Sequence, residues 1–242
     1  SEELKDTIAG FKAMKVRGAN VSMPHKQNII PYLDEISTAS RLCNAVNTIT
    51  FKDGKYYGTI TDGIGFTRSL EEQGWLIKDK KITMVGAGGA STAIMVQLAL
   101  DGVKEIIVYN RTMRTEFQEI INNTIIETGC TITLKSLSDL ESLKKDMHSS
   151  YLFINTTGVG MEPMLERSVV PDASYFKPDL KVADIIYQPA VTKMLRLAKE
   201  AGCATMNGEL MLLYQGVESF KIWTGQEMPI NEVKKVLGIE VK

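Results

Sequence analysis

At 242 residues the chain has room for one large or two modest domains around a sizeable core, which excludes the small disulfide-stapled scaffolds. With 44% hydrophobic and 24% charged residues it has the make-up of an ordinary globular protein, not of a disordered, collagen-like or coiled-coil one. Lys and Arg total 28 against 29 Asp and Glu, a net charge of -1. Such a chain offers no electrostatic footprint to nucleic acid or to an anionic membrane, and the expected partner is a small molecule.

Cys43, Cys130 and Cys203 are far apart, and only His25 and His148 could help them bind metal, so neither a disulfide framework nor a metal site is expected. A reducing cytoplasm suits that pattern. No apolar run approaches the ~18 residues of a membrane span, and the opening Ser1-Glu2-Glu3-Leu4-Lys5-Asp6 is charged where a signal peptide would be apolar. The sequence begins without Met, directly in a helical pattern, so further residues are expected upstream.

In chain order, residues 2–14 read as a helix with Leu4, Ile8 and Phe11 on one face, and Val16 to Val21 as a short strand running into a turn at Pro24. A helical stretch is expected around 26–42. Ala45 to Phe51 and Lys55 to Gly58 flank Asp53-Gly54, the strongest short-range hairpin signal, and a helix over 63–73 stops at Gly74. From Lys80 short apolar strands alternate with helical segments. The strands are Ile82–Val85, Glu105–Tyr109, Thr131–Leu134, Tyr151–Ile154 and Val182–Ile186, and the helices lie near 90–101, 114–128, 138–147 and 190–201. That alternation implies a doubly wound parallel α/β sheet of the Rossmann type. Leu210, Leu213, Tyr214, Val217 and Phe220 mark another amphipathic helix, and a short one follows Pro229.

The strand Ile82–Val85 runs straight into Gly86-Ala87-Gly88-Gly89-Ala90-Ser91, and a helix begins at once, which is the context a dinucleotide loop requires. The first glycine allows the tight turn and the second lets a pyrophosphate approach the backbone. The helix N-terminus adds free N–H groups and partial positive charge. Ser91 replaces the usual third glycine but is small. An NAD-specific fold would end its second strand in Asp or Glu, whereas this strand ends in Asn110-Arg111-Thr112. No carboxylate there repels a 2'-phosphate, and Arg111, with Arg114 as a second candidate, could pair with one while stacking on adenine. The choice between NAD and NADP stays open.

Together with this loop, several segments that are bland alone fall into register: Gly18-Ala-Asn-Val-Ser-Met-Pro-His-Lys26, Ala45-Val-Asn-Thr48, Thr61-Asp-Gly63, Asn155-Thr-Thr-Gly-Val-Gly-Met161, Tyr187-x-Pro189 and Met211-Leu-Leu-Tyr-Gln215. The chain thereby resembles the shikimate dehydrogenase family, in particular its quinate/shikimate branch. The resemblance implies a nicotinamide-dependent enzyme that interconverts 3-dehydroshikimate and shikimate, or oxidises quinate. It implies Lys26 and Asp62 as the catalytic pair, with Ser22, Asn47 and Gln215 on substrate hydroxyls. Ala87, Gly88, Gly89 and Ala90 would meet the pyrophosphate, and Asn110, Arg111 and Thr112 the adenosine ribose. Thr156 and Tyr187 would lie near the nicotinamide half, with Gly208 closing the site. It also implies a smaller α/β substrate domain from residues 1–61 plus 208–242, a dinucleotide domain over 62–207, and a homodimer as a compatible assembly.

The chemistry agrees with that pairing. Hydride delivery to a ketone builds negative charge on oxygen, where a positioned ammonium can donate a proton while a carboxylate holds the amine. Three departures bear on substrate preference and nicotinamide pose: Ile60 stands where the family usually has Asn, Leu210 where it has Gly, and the family's N-terminal Ser-x-Ser would lie before Ser1. Substrate affinity is expected to be severely reduced in a molecule that lacks that Ser-x-Ser. Rival readings are a dehydrogenase for a related ring hydroxy or amino acid and a non-catalytic nucleotide-sensing module.

Overall fold

The computed structural model describes residues 2–240; Ser1, Val241 and Lys242, at the two ends of the expected substrate domain, lie outside the described residues. The first helix, α1 (Glu2–Met14), leads into a four-stranded sheet of β1 (Gly18–Asn20), β2 (Glu35–Ile36), β3 (Thr48–Lys52) and β4 (Lys55–Thr59) in the order β1-β3-β4-β2. The β3–β4 hairpin turns on Asp53 and Gly54, both with positive φ, the conformation for which Asp-Gly is the favoured pair. Ile29, Val46, Ile49 and Tyr56 form the core of this unit with Ile8 of α1.

The helix expected around 26–42 does not form as one piece. Pro31 lies in a 3-10 turn (Ile30–Tyr32), β2 then pairs with β4, and only α2 (Thr38–Cys43) is α-helical. Proline restricts the residue before it and removes a backbone donor, while Asp34 accepts from the Tyr56 N–H at 2.7 Å and pulls the segment onto the sheet. Ser37 then caps α2 by accepting from the Ser40 N–H at 3.1 Å.

The second sheet is all parallel. Its strands are β5 (Lys81–Val85), β6 (Glu105–Asn110), β7 (Thr131–Ser136), β8 (Leu152–Asn155), β9 (Lys181–Asp184) and β10 (Ala204–Met206), in the order β10-β9-β8-β5-β6-β7. Counted from β5, that order is the Rossmann one, and the order of strand addition reverses between β5 and β8. Ligands of such sheets bind beyond the carboxyl ends at that point, where Gly86 and Thr156 stand side by side. The strand β10, too short and mixed to stand out in the sequence, adds the last edge. Helices α4 (Gly89–Leu100) and α5 (Thr115–Thr128) cover one face, and α6 (Leu140–Ser149) and α7 (Lys193–Glu200) the other. The apolar stripe of α5 packs inward through Phe117 and Ile121, and α4, buried on nearly every side, is the central helix of the larger core.

Helix α3 (Asp62–Glu72) lies between α4 and the long α8 (Glu209–Thr224). Two glycines make that fit possible. A Cβ on Gly63 would collide with the Ala93 carbonyl of α4, and one on Gly65 would lie 2.7 Å from the Gln215 nitrogen and the Met211 carbonyl of α8. Ionic ties reinforce the packing: Arg68 pairs with Glu218 at 2.6 Å, and Glu72 pairs with Lys234 of α9 (Ile230–Leu237) at 2.6 Å while accepting from the Tyr214 hydroxyl at 2.5 Å. Among the described residues no helix is long and apolar enough to cross a membrane.

Gly65→Ala is therefore expected to destabilise the protein by about 1–3 kcal/mol, because backbone rather than a flexible side chain meets the added methyl. Gly10→Ala, in open space on α1, should instead raise stability by up to about 1 kcal/mol through helix propensity. Urea denaturation of both variants checks this, and an unchanged midpoint in Gly65→Ala would mean that the α3–α8 contact is soft.

Candidate active site

Lys26 and Asp62 meet although they are 36 residues apart, with Nζ 2.6 Å from Oδ2. Asp62 is the first residue of α3, so its carboxylate lies at the positive end of the helix. Asn47, at the mouth of β3, donates to the other carboxylate oxygen, Oδ1, at 2.9 Å, and its own Oδ1 accepts from the Thr61 N–H at 2.9 Å and the Thr48 hydroxyl at 3.0 Å. Thr48 is in turn 2.9 Å from the Ser219 hydroxyl of α8. The Asn47 amide oxygen and both Asp62 carboxylate oxygens are thus engaged, and the Lys26 ammonium is paired with Asp62. Chemically, the arrangement can pass a proton at Nζ to or from an oxygen placed beside it.

Ser22, Lys26, Asn47 and Gln215 line one cavity of about 460 Å³, with Leu212 as an apolar edge. The four lie in order on a loop, the same loop, the lip of β3 and α8, so only the packing of α8 against α3 brings Gln215 in. A second cleft of about 480 Å³ runs from Lys26 and Asp62 to Ala87, Gly88 and Gly89. Its wall includes Ile60, which is buried in the core immediately before Thr61. Leu210 behaves differently from the expectation that placed it at the cleft. Its side chain joins Leu213, Tyr214 and Val217 in a cluster packed against Ile230 and Val233 of α9, so a bulky residue there is accommodated away from the cleft.

The glycine loop fits a dinucleotide. Gly86 has φ +121°, and a Cβ there would strike the Thr156 hydroxyl, so the turn demands glycine. Ser91, in place of the third glycine, is buried and donates to the Gly86 carbonyl at 2.6 Å, fastening the loop to the helix. Gly88 and Gly89 have open space where side chains would be, and no side chain caps the first turn of α4. That is the bare backbone surface a pyrophosphate needs. Ala90 lies within the first turn of α4 itself.

Ala87, Gly88, Asn110, Arg111, Arg114 and Thr156 border a cavity of about 830 Å³ on this side. Asn110 donates to the Thr112 carbonyl at 2.7 Å, which sets the loop that presents the exposed Arg111. Thr156, donating to the Val85 carbonyl at 2.7 Å, also borders a neighbouring cavity of about 730 Å³ with Ile186 and Tyr187. Gly208 caps the start of α8, where a Cβ would run into the Ile185 carbonyl, and its N–H donates to the Ile186 carbonyl at 3.0 Å. Its place is a backbone weld behind the wall that carries Tyr187.

Cys43, beside Asp62, is a buried thiol pushed up to about 12 by its burial and by that carboxylate, so it stays protonated and inert. His25 is exposed, and His148 is exposed with its Nε2 3.3 Å from the Ser174 carbonyl, away from these cavities. Sequence reasoning missed Asp184, which ends β9 fully buried and is pushed up to about 6 by desolvation. Its signal was a lone acid closing the apolar run Val182-Ala183 at the carboxyl edge of a parallel sheet.

Three family models match in chain order: the shikimate dehydrogenase substrate binding domain over residues 1–49, shikimate/quinate 5-dehydrogenase over 69–187 and the shikimate 5'-dehydrogenase C-terminal domain over 208–237. The chain is 46% identical over 240 residues to the shikimate dehydrogenase (NADP+) of Listeria innocua, covering 98% of this chain and 82% of that one. It is 47% identical over 242 residues to the protein of the same name in Streptococcus uberis, covering 98% and 82%. The solved shikimate 5-dehydrogenase of Listeria monocytogenes, in complex with shikimate and NAD, superposes with a TM-score of 0.94 at 46% identity, covering 98% of this chain and 83% of that one.

Gly88→Asp gives a sharp test of the loop. Its backbone is extended (φ −90°, ψ −175°) and occupies the N-cap of α4, so aspartate fits and should hold or raise thermal stability. The same carboxylate would repel a pyrophosphate. Fluorescence titration with NADPH should show binding abolished, and undiminished binding would place the dinucleotide elsewhere.

Proposed function

The chain belongs to the shikimate dehydrogenase family, and we propose that Lys26 and Asp62 are the proton-transfer pair of an oxidoreductase that interconverts shikimate and 3-dehydroshikimate with NAD or NADP. The observation that carries this is the 2.6 Å contact between Lys26 and Asp62 in a cleft that continues to the glycine loop. When bound, the nicotinamide supplies or takes up the hydride at the ring carbon. In the reducing direction Lys26 Nζ delivers a proton to the oxygen as its charge builds, and in the oxidising direction it takes that proton from the hydroxyl. Asp62 holds the amine at one oxygen while Asn47 fixes the other, so the pair needs little reorganisation during the reaction.

Ser22, Asn47 and Gln215 are the groups that would orient the ring hydroxyls, and their shared cavity with Lys26 supports that role. Ala87 to Ala90 would cradle the pyrophosphate, Asn110 to Thr112 the adenosine end, and Thr156 and Tyr187 the nicotinamide half. Residues 1–61 with 208–242 form the substrate lobe in this reading and 62–207 the dinucleotide lobe. In support, α8 returns to β3 and hydrogen-bonds it through Ser219. A nucleotide sensor without turnover would have no chemical use for the Lys26–Asp62 pair.

Nicotinamide absorbance, with shikimate and quinate each offered NAD and NADP, tests the reading directly, and no turnover with shikimate would refute it. In that assay Lys26→Ala should lower kcat by roughly 10²- to 10⁴-fold with cofactor affinity kept. Adding Asp62→Asn should cost much less than the product of the two single losses, because the groups act as one unit. Simple multiplication would show that they act separately.

Cofactor choice rests on Arg111. Exposed at the rim of the adenosine-side cavity and with no carboxylate ending β6, it should hold a 2'-phosphate with about 1–3 kcal/mol while also stacking on adenine. Arg111→Ala should therefore weaken NADP more than NAD in paired dissociation constants; equal losses would mean that it reads no phosphate.

A further inference from the structure

Asp184 has a buried position with no contact to the Lys26–Asp62 pair, and its three hydrogen bonds go to three different segments. Oδ1 accepts from Asn155 Nδ2 at 3.0 Å and from the Ile186 N–H at 3.1 Å, and Oδ2 accepts from the Thr192 hydroxyl at 2.8 Å. Asn155 passes the constraint on: its Oδ1 accepts from the Thr157 N–H at 3.0 Å and the Thr157 hydroxyl at 2.7 Å, while Nδ2 also donates to the Val159 carbonyl at 3.2 Å. Thr192 caps α7 by accepting from the Leu195 N–H at 3.3 Å. One carboxylate therefore holds the turn after β8 and the turn after β9.

Those two turns are the walls of the 730 Å³ cavity that adjoins the glycine loop, through Thr156, Gly158 and Met161 on one side and Ile186 and Tyr187 on the other. Packing alone does not account for an acid here. A carboxylate taken out of water opposes folding unless its partners compensate, and desolvation raises this one against its hydrogen bonds. The sign follows: in the fold Asp184 favours the proton more than in the unfolded chain, so ionising it between its ordinary range and about pH 6 lowers stability. An acceptor of three donors is nonetheless what the convergence of Asn155, Ile186 and Thr192 requires.

We propose that Asp184 is a positioning residue for the nicotinamide half of the dinucleotide site, acting through Asn155 and Ile186 to hold the two cavity walls in register. The proposal rests on the dinucleotide reading given above and adds to it a division of labour: the adenosine end is formed by the loop after β6, which does not touch Asp184.

The test compares a whole dinucleotide with its adenine half. Wild type, Asp184→Ala and Asp184→Asn are titrated calorimetrically with NADP+ and with 2',5'-ADP, and in parallel with NAD+ and ADP. Asp184→Ala should lose about 10- to 100-fold in affinity for the dinucleotides, the loss expected when buried hydrogen-bonding groups are left unpaired. Affinity for the adenine halves should stay within about 2-fold. Asp184→Asn can keep an oxygen toward Asn155 and Ile186 while donating to Thr192, so it should recover most of the loss. If Asp184→Ala fails to fold, Asp184→Asn and Thr192→Val carry the same comparison, with smaller losses again confined to the dinucleotides. Parallel weakening of dinucleotide and fragment would reveal a general structural role and overturn the proposal, as would undiminished dinucleotide binding in Asp184→Ala or, where that variant does not fold, in Thr192→Val. Failure of wild type to bind either dinucleotide would overturn the dinucleotide reading itself.

Discussion

The close approach of three helices sets the geometry on which the site depends. With α3 pressed against α4 through Gly63 and against α8 through Gly65, the N-terminus of α3 has a single position, and Asp62 occupies it. From there the carboxylate reaches Lys26 on the loop after β1 and Asn47 immediately before β3. The same contact fixes Gln215, whose backbone nitrogen is what a side chain on Gly65 would strike. Interiors packed at crystal-like density transmit such constraints with little give, so a methyl group added within this sandwich acts on the placement of Asp62 and Gln215 as well as on stability.

The glycine-loop face obeys a complementary rule: backbone is left bare where a dinucleotide would come close and fastened wherever it must not move. Gly88 and Gly89 open onto space, while Ser91 ties the loop's own carbonyl and Thr156 ties the end of β5 to the turn after β8. Ser91 in the position usually held by glycine is thus a gain in rigidity at no loss of approach. Leu210 follows similar logic, since its bulk enters the α8–α9 cluster and adds apolar burial to a C-terminal helix that the Lys234–Glu72 pair also anchors. Substitutions at family-typical glycines are tolerated here because the side chains leave the ligand surface.

Two polar networks back the two cavities of the candidate site. One, through Asn20, Asn47, Thr48 and Ser219, backs the Lys26–Asp62 pair; the other, centred on Asp184, backs the turns after β8 and β9. Each is satisfied almost entirely within the protein, which is the condition under which buried polar groups specify a geometry instead of merely weakening a core.

Local patterns were enough to identify the alternation of strands and helices from Lys80 onward, the Asp53-Gly54 hairpin and the glycine loop in its strand-to-helix setting, because period, turn chemistry and loop composition act over a few residues. The ordered motifs, from Asn20-Val-Ser22 to Gln215, likewise carried the family resemblance. Residues 26–42 were misread as helical because the pull of Asp34 on Tyr56 and the pairing of β2 with β4 are non-local and override helical spacing. The strand β10 and the fate of Leu210 were illegible for the same reason, one needing an existing sheet edge and the other the arrival of α9. Lys26, Asn47, Asp62 and Gln215 could be named from sequence, but the 2.6–2.9 Å contacts of Asp62 with Lys26 and Asn47, and the cavity that Lys26 and Asn47 share with Gln215, exist only once α3 is wedged between its neighbours. Asp184 shows in the sequence only as a lone acid closing an apolar run: a carboxylate at a strand end becomes a hub only when the fold adds Asn155 and Thr192 to the local Ile186 N–H and takes the water away.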